Sequence, residues 1–218
     1  HKQNIIPYLD EISTASRLCN AVNTITFKDG KYYGTITDGI GFTRSLEEQG
    51  WLIKDKKITM VGAGGASTAI MVQLALDGVK EIIVYNRTMR TEFQEIINNT
   101  IIETGCTITL KSLSDLESLK KDMHSSYLFI NTTGVGMEPM LERSVVPDAS
   151  YFKPDLKVAD IIYQPAVTKM LRLAKEAGCA TMNGELMLLY QGVESFKIWT
   201  GQEMPINEVK KVLGIEVK

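Results

Sequence analysis

The amino-acid sequence predicts an α/β protein whose core is a Rossmann-type, doubly wound parallel sheet. Between residues 57 and 183, short apolar strands alternate with helical segments, and this alternation is typical of a parallel sheet with helices on both faces. The first strand, residues 58–61, runs directly into a glycine-rich turn at residues 62–65, and a helix follows over residues 66–77. A second strand at residues 81–85 completes a βαβ unit of the kind that binds nucleotides.

The glycine turn has the residues that a dinucleotide site requires. Gly62 permits a tight turn, and Gly64 has no Cβ, so a pyrophosphate can approach the backbone. The free N–H groups and the positive dipole end of the next helix favour the same anion. Ser67 stands at the sixth position of the pattern in place of Gly or Ala, and the hydroxyls of Ser67 and Thr68 are further candidate donors. A purely structural turn is the alternative. The predicted cofactor contacts at the turn are Gly62, Ala63, Gly64, Gly65, Ala66 and Ser67.

The end of the second strand indicates which cofactor the unit binds. Units that bind NAD usually carry Asp or Glu there, whereas this chain has Asn86, Arg87 and Thr88, with Arg90 close behind. A neutral amide does not repel a 2′-phosphate, and a guanidinium binds a phosphate with two parallel hydrogen bonds. The sequence therefore favours NADP, with NAD as a possible second cofactor. The alternative is that Arg87 is an ordinary solvated side chain after a strand.

The N-terminal segment has a local pattern of its own. Residues 9–18 predict a short helix, residues 21–27 a strand, and the Asp29-Gly30 pair a hairpin turn into a returning strand. A helix predicted at residues 42–49 connects this segment to the βαβ unit.

Two features further along the chain bear on the site. Ser114 and Glu117 form a capping-box pattern that predicts the start of a helix. Residues 131–137 form a loop of small residues after the apolar strand at residues 127–131. Ligands of open α/β sheets bind at the carboxyl ends of strands, so this loop is a candidate cofactor contact.

The composition excludes several classes of protein. The chain has 218 residues and a net charge of −2, without the basic character of a nucleic-acid-binding protein. No apolar run approaches the length of a membrane span. Cys19, Cys106 and Cys179 are far apart, and the chain has only two histidines. This pattern predicts no metal site and indicates a cytoplasmic protein with reduced thiols. A monomer and a homodimer are both compatible with the sequence.

A series of motifs, in order along nearly the whole chain, resembles the shikimate dehydrogenase family. Two positions depart from its usual pattern: Ile36 replaces an Asn before Thr-Asp-Gly, and Gly134 stands where Pro is common. The motifs are Ala21-Val22-Asn23-Thr24, Gly34 with Thr37-Asp38-Gly39, Gly62-Ala63-Gly64-Gly65-Ala66-Ser67, Asn86-Arg87-Thr88, Asn131-Thr132-Thr133 with Gly136-Met137, Asp160-Ile161-Ile162-Tyr163-Gln164-Pro165, and Gly184 with Met187-Leu188 and Gln191.

The resemblance implies an activity and roles for residues that spacing alone does not single out. It implies reversible, NADPH-dependent reduction of 3-dehydroshikimate to shikimate in aromatic amino-acid biosynthesis, with Lys2 and Asp38 as the acid–base pair. An NAD(P)-dependent quinate/shikimate dehydrogenase and a nucleotide-binding fragment without activity are the alternatives. The substrate-binding residues it implies are Asn23, Tyr163 and Gln191. The further cofactor-binding residues it implies are Asn131, Thr132, Thr133, Met137, Gly184 and Met187.

The resemblance also implies a division of the chain. Residues 1–40 are expected to be the remnant of a substrate domain, residues 41–183 the NADP-binding domain, and residues 184–218 helices that return to the substrate domain. The first residue is His, and the family's opening strand and serine-containing loop do not precede it. We therefore expect the chain to begin partway into a longer protein, to bind the cofactor, and to turn over shikimate poorly because Lys2 lies at a chain end.

Overall fold

A computed structural model of the protein describes residues 1–216. Six parallel strands form the main sheet in the order β6-β5-β4-β7-β8-β9, and β1, β3 and β2 form a small mixed sheet. The switch of strand order lies between β4 and β7, so the sheet is doubly wound and the predicted fold class is confirmed. The strands are β1 (Glu11–Ile12), β2 (Thr24–Lys28), β3 (Lys31–Thr35), β4 (Lys57–Val61), β5 (Glu81–Asn86), β6 (Thr107–Ser112), β7 (Leu128–Asn131), β8 (Lys157–Asp160) and β9 (Ala180–Met182).

Helices cover both faces of the main sheet because side chains alternate along its strands. In β5, Ile82 and Val84 enter one core, which includes residues of α2, α3 and α4, while Ile83 and Tyr85 enter a second core with residues of α5 and α6. The helices are α1 (Thr14–Cys19), α2 (Asp38–Glu48), α3 (Gly65–Leu76), α4 (Thr91–Thr104), α5 (Leu116–Ser125), α6 (Lys169–Glu176), α7 (Glu185–Thr200) and α8 (Ile206–Leu213).

Helix α2 packs closely against two other helices because two of its residues have no side chain. A Cβ on Gly39 would lie 2.4 Å from the carbonyl oxygen of Ala69 in α3. A Cβ on Gly41 would lie 2.6 Å from the backbone nitrogen of Gln191 in α7. The two glycines thus let the first turn of α2 sit between α3 and α7, which fixes the position of Asp38 at its N-terminus.

Two side-chain hydrogen bonds join α7 to the small sheet and α8 to α2. Trp199 near the end of α7 donates an indole N–H hydrogen bond to the carbonyl oxygen of Ile25 in β2, at 3.0 Å. At the other end of α2, the buried ammonium of Lys210 in α8 donates to Glu48 at 2.6 Å. Residues 217 and 218, the end of the predicted C-terminal segment, lie outside the described residues.

The β2–β3 hairpin forms as predicted. Asp29 and Gly30 both have positive φ angles, 51° and 81°, which two-residue hairpin turns that follow the twist of the strands require. Ile36, one of the two departures from the family pattern, is buried in the core.

Three local predictions were wrong at helix starts. The helix predicted at residues 9–18 begins only at Thr14, because Ser13 caps it and Glu11 belongs to β1. The helix predicted at residues 42–49 begins four residues earlier, at Asp38. The predicted capping box is also wrong, because Asp115 caps α5 by accepting from the backbone N–H of Ser118 at 3.0 Å.

We expect Gly39→Ala to destabilise the protein, because the added methyl group would overlap the Ala69 backbone. The expected loss is about 1–3 kcal/mol in the free energy of unfolding, as for other overpacked positions. Urea denaturation measures it. Gly192→Ala in α7 is the matched control: its Cβ would meet no atom within 4 Å, so the helix should gain up to ~1 kcal/mol. Equal stability changes for the two variants would contradict the close packing of α2.

Candidate active site

The glycine turn between β4 and α3 is open on one side and tightly packed on the other. Gly62 has a φ of 121°, and a Cβ there would lie 2.4 Å from the Thr132 hydroxyl oxygen. A Cβ on Gly64 or Gly65 would meet no protein atom within 4 Å. Packing therefore explains Gly62 but not the other two glycines, which lie at the N-terminus of α3 where an anion is favoured. This geometry fits the pyrophosphate of a dinucleotide.

The hydroxyl groups in the first turn of α3 stabilise the turn itself. Ser67 is fully buried and donates to the carbonyl oxygen of Gly62 at 2.5 Å. Thr68 donates to the carbonyl oxygen of Gly64 at 2.9 Å. Both hydroxyl protons are therefore used within the protein. Of the predicted contacts at the turn, Gly64 and Gly65 are exposed, and Ala63 and Ala66 are half-buried.

The residues after β5 lie on the surface at the same edge of the sheet. Asn86 donates to the carbonyl oxygen of Thr88 at 2.6 Å, which folds the loop back on itself. Arg87 and Arg90 are exposed, and among residues 1–216 neither guanidinium has an ion-pair partner. Arg90, Gly64 and Lys2 line one cleft of about 730 Å³, so the glycine turn and the start of the chain face the same space.

A second cavity, of about 690 Å³, lies at the carboxyl ends of β7 and β8. One wall includes Thr132, Thr133 and Met137, and the other consists of residues 161–165, among them the half-exposed Tyr163. The predicted cofactor residue Asn131 is fully buried below the first wall and uses its side-chain groups on neighbouring protein atoms.

Gly184 and Met187, at the start of α7, are both packed against the protein. A Cβ on Gly184 would lie 2.0 Å from the carbonyl oxygen of Ile161, so this glycine lets α7 approach the loop after β8. Met187 is buried in the core that includes residues of α2, α3 and α4. The sequence alone could not show whether Gly184 and Met187 pack against the protein or contact a cofactor.

Asp160, at the end of β8, is a fully buried carboxylate with three hydrogen-bond donors. Oδ1 accepts from the Asn131 side chain and from the Ile162 backbone N–H, each at 3.1 Å, and Oδ2 accepts from the Thr168 hydroxyl at 2.8 Å. Burial raises the pKa of Asp160 to about 6, and the hydrogen bonds oppose this shift only in part.

Lys2 and Asp38 form an ion pair beside the first cleft. The ammonium nitrogen lies 2.5 Å from Oδ2 of Asp38, while Oδ1 accepts from the Asn23 amide at 3.0 Å. Asp38 is only 6% exposed, whereas the Lys2 side chain is 48% exposed. The backbone also holds the segment in place, since the Val22 N–H donates to the Lys2 carbonyl oxygen at 2.9 Å. The pair therefore presents an accessible ammonium that a buried carboxylate orients.

The orientation of the Asn23 amide follows from its neighbours. Its oxygen accepts from the backbone N–H of Thr37 at 3.0 Å, which leaves the amide nitrogen to donate to Asp38. The hydroxyls of Thr24 and Thr37 also approach this oxygen, at 3.0 and 3.3 Å. Ser195 of α7 contacts Thr24 at 2.8 Å and donates to the carbonyl oxygen of Gln191 at 3.0 Å. A chain of hydrogen bonds thus joins Asn23 to the helix that carries Gln191.

Sequence reasoning missed several residues that line the cleft at the glycine turn and the second cavity. Cys19 lies near the Lys2–Asp38 ion pair, and burial, reinforced by Asp38 and opposed by Lys2, raises the pKa of its thiol to about 12. At pH 7 it is therefore a neutral group. Glu138 and Leu141 line the second cavity, but they fall in a loop with no local motif. Only the tertiary contacts bring these side chains to the site.

Comparison with known proteins identifies the family. Residues 45–164 match the family model "Shikimate / quinate 5-dehydrogenase", and residues 184–213 match "Shikimate 5'-dehydrogenase C-terminal domain". A shikimate dehydrogenase (NADP(+)) of Listeria innocua is 44% identical over 217 residues, which cover 98% of this chain and 74% of the relative. The chain belongs to the shikimate dehydrogenase family. The corresponding enzyme of Streptococcus uberis is 46% identical over 218 residues, with the same coverage.

Solved structures agree with this assignment. The Listeria monocytogenes shikimate 5-dehydrogenase, solved with shikimate and NAD, has a TM-score of 0.94 at 45% identity and matches 98% of this chain and 74% of its own. A quinate dehydrogenase of Corynebacterium glutamicum with NAD has a TM-score of 0.85 at 28% identity, covering 97% of this chain and 74% of its own. The family resemblance and the fold class predicted from the sequence are thus confirmed. Across residues 1–216, none of the helices has the length and apolar character that crossing a membrane requires.

The raised pKa of Asp160 predicts how stability depends on pH. A proton bound more tightly in the folded state contributes stability that is fully present below the ordinary pKa of 3.8 and is lost as the pH rises through about 6. Relative to Asp160→Asn, which does not titrate, the wild-type free energy of unfolding should therefore fall by roughly 2–3 kcal/mol between about pH 4 and 6.5. Urea denaturation at a series of pH values measures this difference. A difference that stays constant with pH would contradict the shift.

Proposed function

We propose that this protein is an NADP-dependent dehydrogenase that interconverts shikimate and 3-dehydroshikimate, in the pathway to the aromatic amino acids. The observation that carries the proposal is the Lys2–Asp38–Asn23 cluster beside the cleft of the glycine turn. Membership of the family and the relatives' printed activity support the same reaction.

The chain supplies the proton-transfer half of the reaction. Reduction of a ketone requires a proton at the carbonyl oxygen, and the nicotinamide of the bound cofactor supplies the hydride. The Lys2 ammonium is accessible and carries the proton, so it can stabilise the developing alkoxide and then protonate it. Asp38 holds this ammonium from the buried side, at 2.5 Å. In the oxidation direction the neutral amine of Lys2 takes the hydroxyl proton, and Asp38 stabilises the ammonium that forms.

Amide groups near the pair suit a substrate with several hydroxyls, because each amide offers both a donor and an acceptor. Asn23 is exposed and fixed by Asp38 and Thr37. Gln191 lies on α7, whose backbone packs on α2 through Gly41. We propose that Asn23, Gln191 and Tyr163 bind the substrate.

The cofactor is proposed to cross the carboxyl edge of the main sheet. Its pyrophosphate would lie at Gly64 and Gly65, and Arg87 and Arg90 would bind the 2′-phosphate beyond β5. The other half would extend over β7 and β8, to the cavity lined by Thr132, Thr133, Met137 and Tyr163. The relatives' printed cofactor, NADP(+), supports this assignment.

Arg87→Ala should weaken the binding of NADP far more than that of NAD, because only NADP has a 2′-phosphate. The expected difference is about 1.5–3 kcal/mol, as for other hydrogen bonds to charged groups. Titration calorimetry with both cofactors measures it. Arg17→Ala is the control, since Arg17 is also exposed but pairs with Glu103 in α4. An equal loss for NADP and NAD in the Arg87 variant would contradict the role of this residue.

Lys2→Met and Asp38→Asn should each lower kcat by roughly 10²–10⁴, the usual contribution of a positioned acid–base group. The affinity for NADP should remain near the wild-type value, because neither side chain is proposed to touch the cofactor phosphates. Formation of NADPH with shikimate in the complete gene product measures kcat, and calorimetry measures the affinity. Lys28→Met, on the exposed hairpin, should leave both unchanged. A loss of cofactor affinity without a loss of kcat would contradict the assignment.

The same kinetic assay tests the alternative substrate and cofactor. The wild type is measured with shikimate and quinate, each with NADP and NAD. Our proposal expects the highest kcat/KM for shikimate with NADP. A higher kcat/KM for quinate with NAD would instead place the protein with the quinate dehydrogenase activity that one structural relative carries in its name.

A cytoplasmic location and a monomeric or dimeric state belong to the same proposal. Cys19, Cys106 and Cys179 are buried free thiols, which suits a reducing compartment. Light scattering distinguishes a monomer from a dimer.

A further inference from the structure

The cavity at the ends of β7 and β8 has two walls that belong to different loops. One wall is the loop after β7 and includes Thr132, Thr133 and Met137, and the other is residues 161–165, after β8. Neither loop is a helix or a strand, so its position depends on specific contacts. Asp160 lies directly below both loops.

Asp160 binds each wall and a third element at once. Through Asn131 it holds the first loop, because the oxygen of the same amide accepts from the Thr133 backbone N–H at 3.1 Å and from the Thr133 hydroxyl at 2.7 Å. Through the Ile162 backbone N–H it holds the second loop, at 3.1 Å. Through Thr168, which caps α6, it holds the start of that helix. The three contacts reach three separate parts of the chain.

A carboxylate suits this position for a chemical reason. Its two oxygens only accept hydrogen bonds, so both can face donors without a mismatch. An Asn side chain would turn an NH₂ group toward one of the three donors. Burying a carboxylate without a cation costs stability, and the raised pKa of Asp160 reflects that cost. The residue therefore fits a role that an apolar side chain cannot fill.

The place of the cavity in the sheet indicates which part of a dinucleotide it faces. Arg87 follows β5 on one side of β4, whereas the cavity follows β7 and β8 on the other side. A dinucleotide with its pyrophosphate at the glycine turn and its 2′-phosphate at Arg87 would extend its nicotinamide half toward the cavity.

We propose that Asp160 is a positioning residue that holds the two loops of this cavity in register for the nicotinamide half of the cofactor. This inference rests on the proposed function, because it takes NADP as the ligand. Asp160 does not touch the cofactor; it acts through Asn131 and the backbone of Ile162.

Titration calorimetry with NADP and with 2′,5′-ADP tests this role. The second ligand has the adenosine half and the 2′-phosphate but no nicotinamide. We expect Asp160→Ala to weaken NADP binding by about tenfold or more and to leave 2′,5′-ADP binding within about twofold of wild type. Asp160→Asn keeps one accepting oxygen, so its NADP affinity should fall by only about three- to fivefold. Because this milder variant preserves most of the contacts, it decides the question if Asp160→Ala does not fold.

Asp115→Ala is the control for a purely structural effect, because Asp115 caps α5 away from the cavity. It should lower the melting temperature without changing the affinity for either ligand. An unchanged NADP affinity in both Asp160 variants, or an equal loss for NADP and 2′,5′-ADP, would overturn the proposal for Asp160. If the wild type binds neither ligand, the proposed function fails instead, so the two failures are distinguishable.

Discussion

The close approach of α2 to α3 and α7 is the contact on which the candidate site depends. Gly39 and Gly41 face opposite neighbours, and a Cβ on either would overlap backbone atoms. Helix α3 begins at the glycine turn, α7 carries Gln191, and Asp38 is the first residue of α2. One packing arrangement therefore sets the relative positions of the glycine turn, the Lys2–Asp38 ion pair and Gln191.

The two buried carboxylates of the site illustrate how the surroundings assign different roles. Asp38 has the Lys2 ammonium at one oxygen and the Asn23 amide at the other, and the ammonium is accessible from the cleft. In the proposed reaction the proton therefore reaches the substrate through Lys2. Asp160 has only neutral donors and is fully buried, so it cannot exchange a proton with a ligand directly. We propose that the same residue type serves acid–base chemistry at one position and the placement of loops at the other.

The sequence predicted the parts of the structure that depend on local patterns. The alternating strands and helices, the glycine turn and the Asp29-Gly30 hairpin follow from periodicity and turn chemistry. Local patterns failed where several groups compete for one partner. Helix α5 begins at Leu116, so Asp115 and not Ser114 occupies the N-cap position, and the Ser114 hydroxyl pairs with that of Ser112 instead. Ser67 carries a hydroxyl that suits a phosphate, yet it donates to the carbonyl oxygen of Gly62.

The glycines of α2 and the role of Asp160 were beyond prediction for another reason. The roles of these residues depend on which distant helices and loops pack against them, and only the folded chain brings those helices and loops together. Lys2 and Asp38 are 36 positions apart in sequence, and no spacing rule joins them; the family resemblance alone suggested the pair. A double-mutant cycle with Lys2→Met, Asp38→Asn and the double variant in the complete gene product tests whether the two act as one unit. We expect the kcat/KM of the double variant to lie within about threefold of the slower single variant, as for groups that act together. Losses that multiply would show that the two residues act independently and would contradict the acid–base pair.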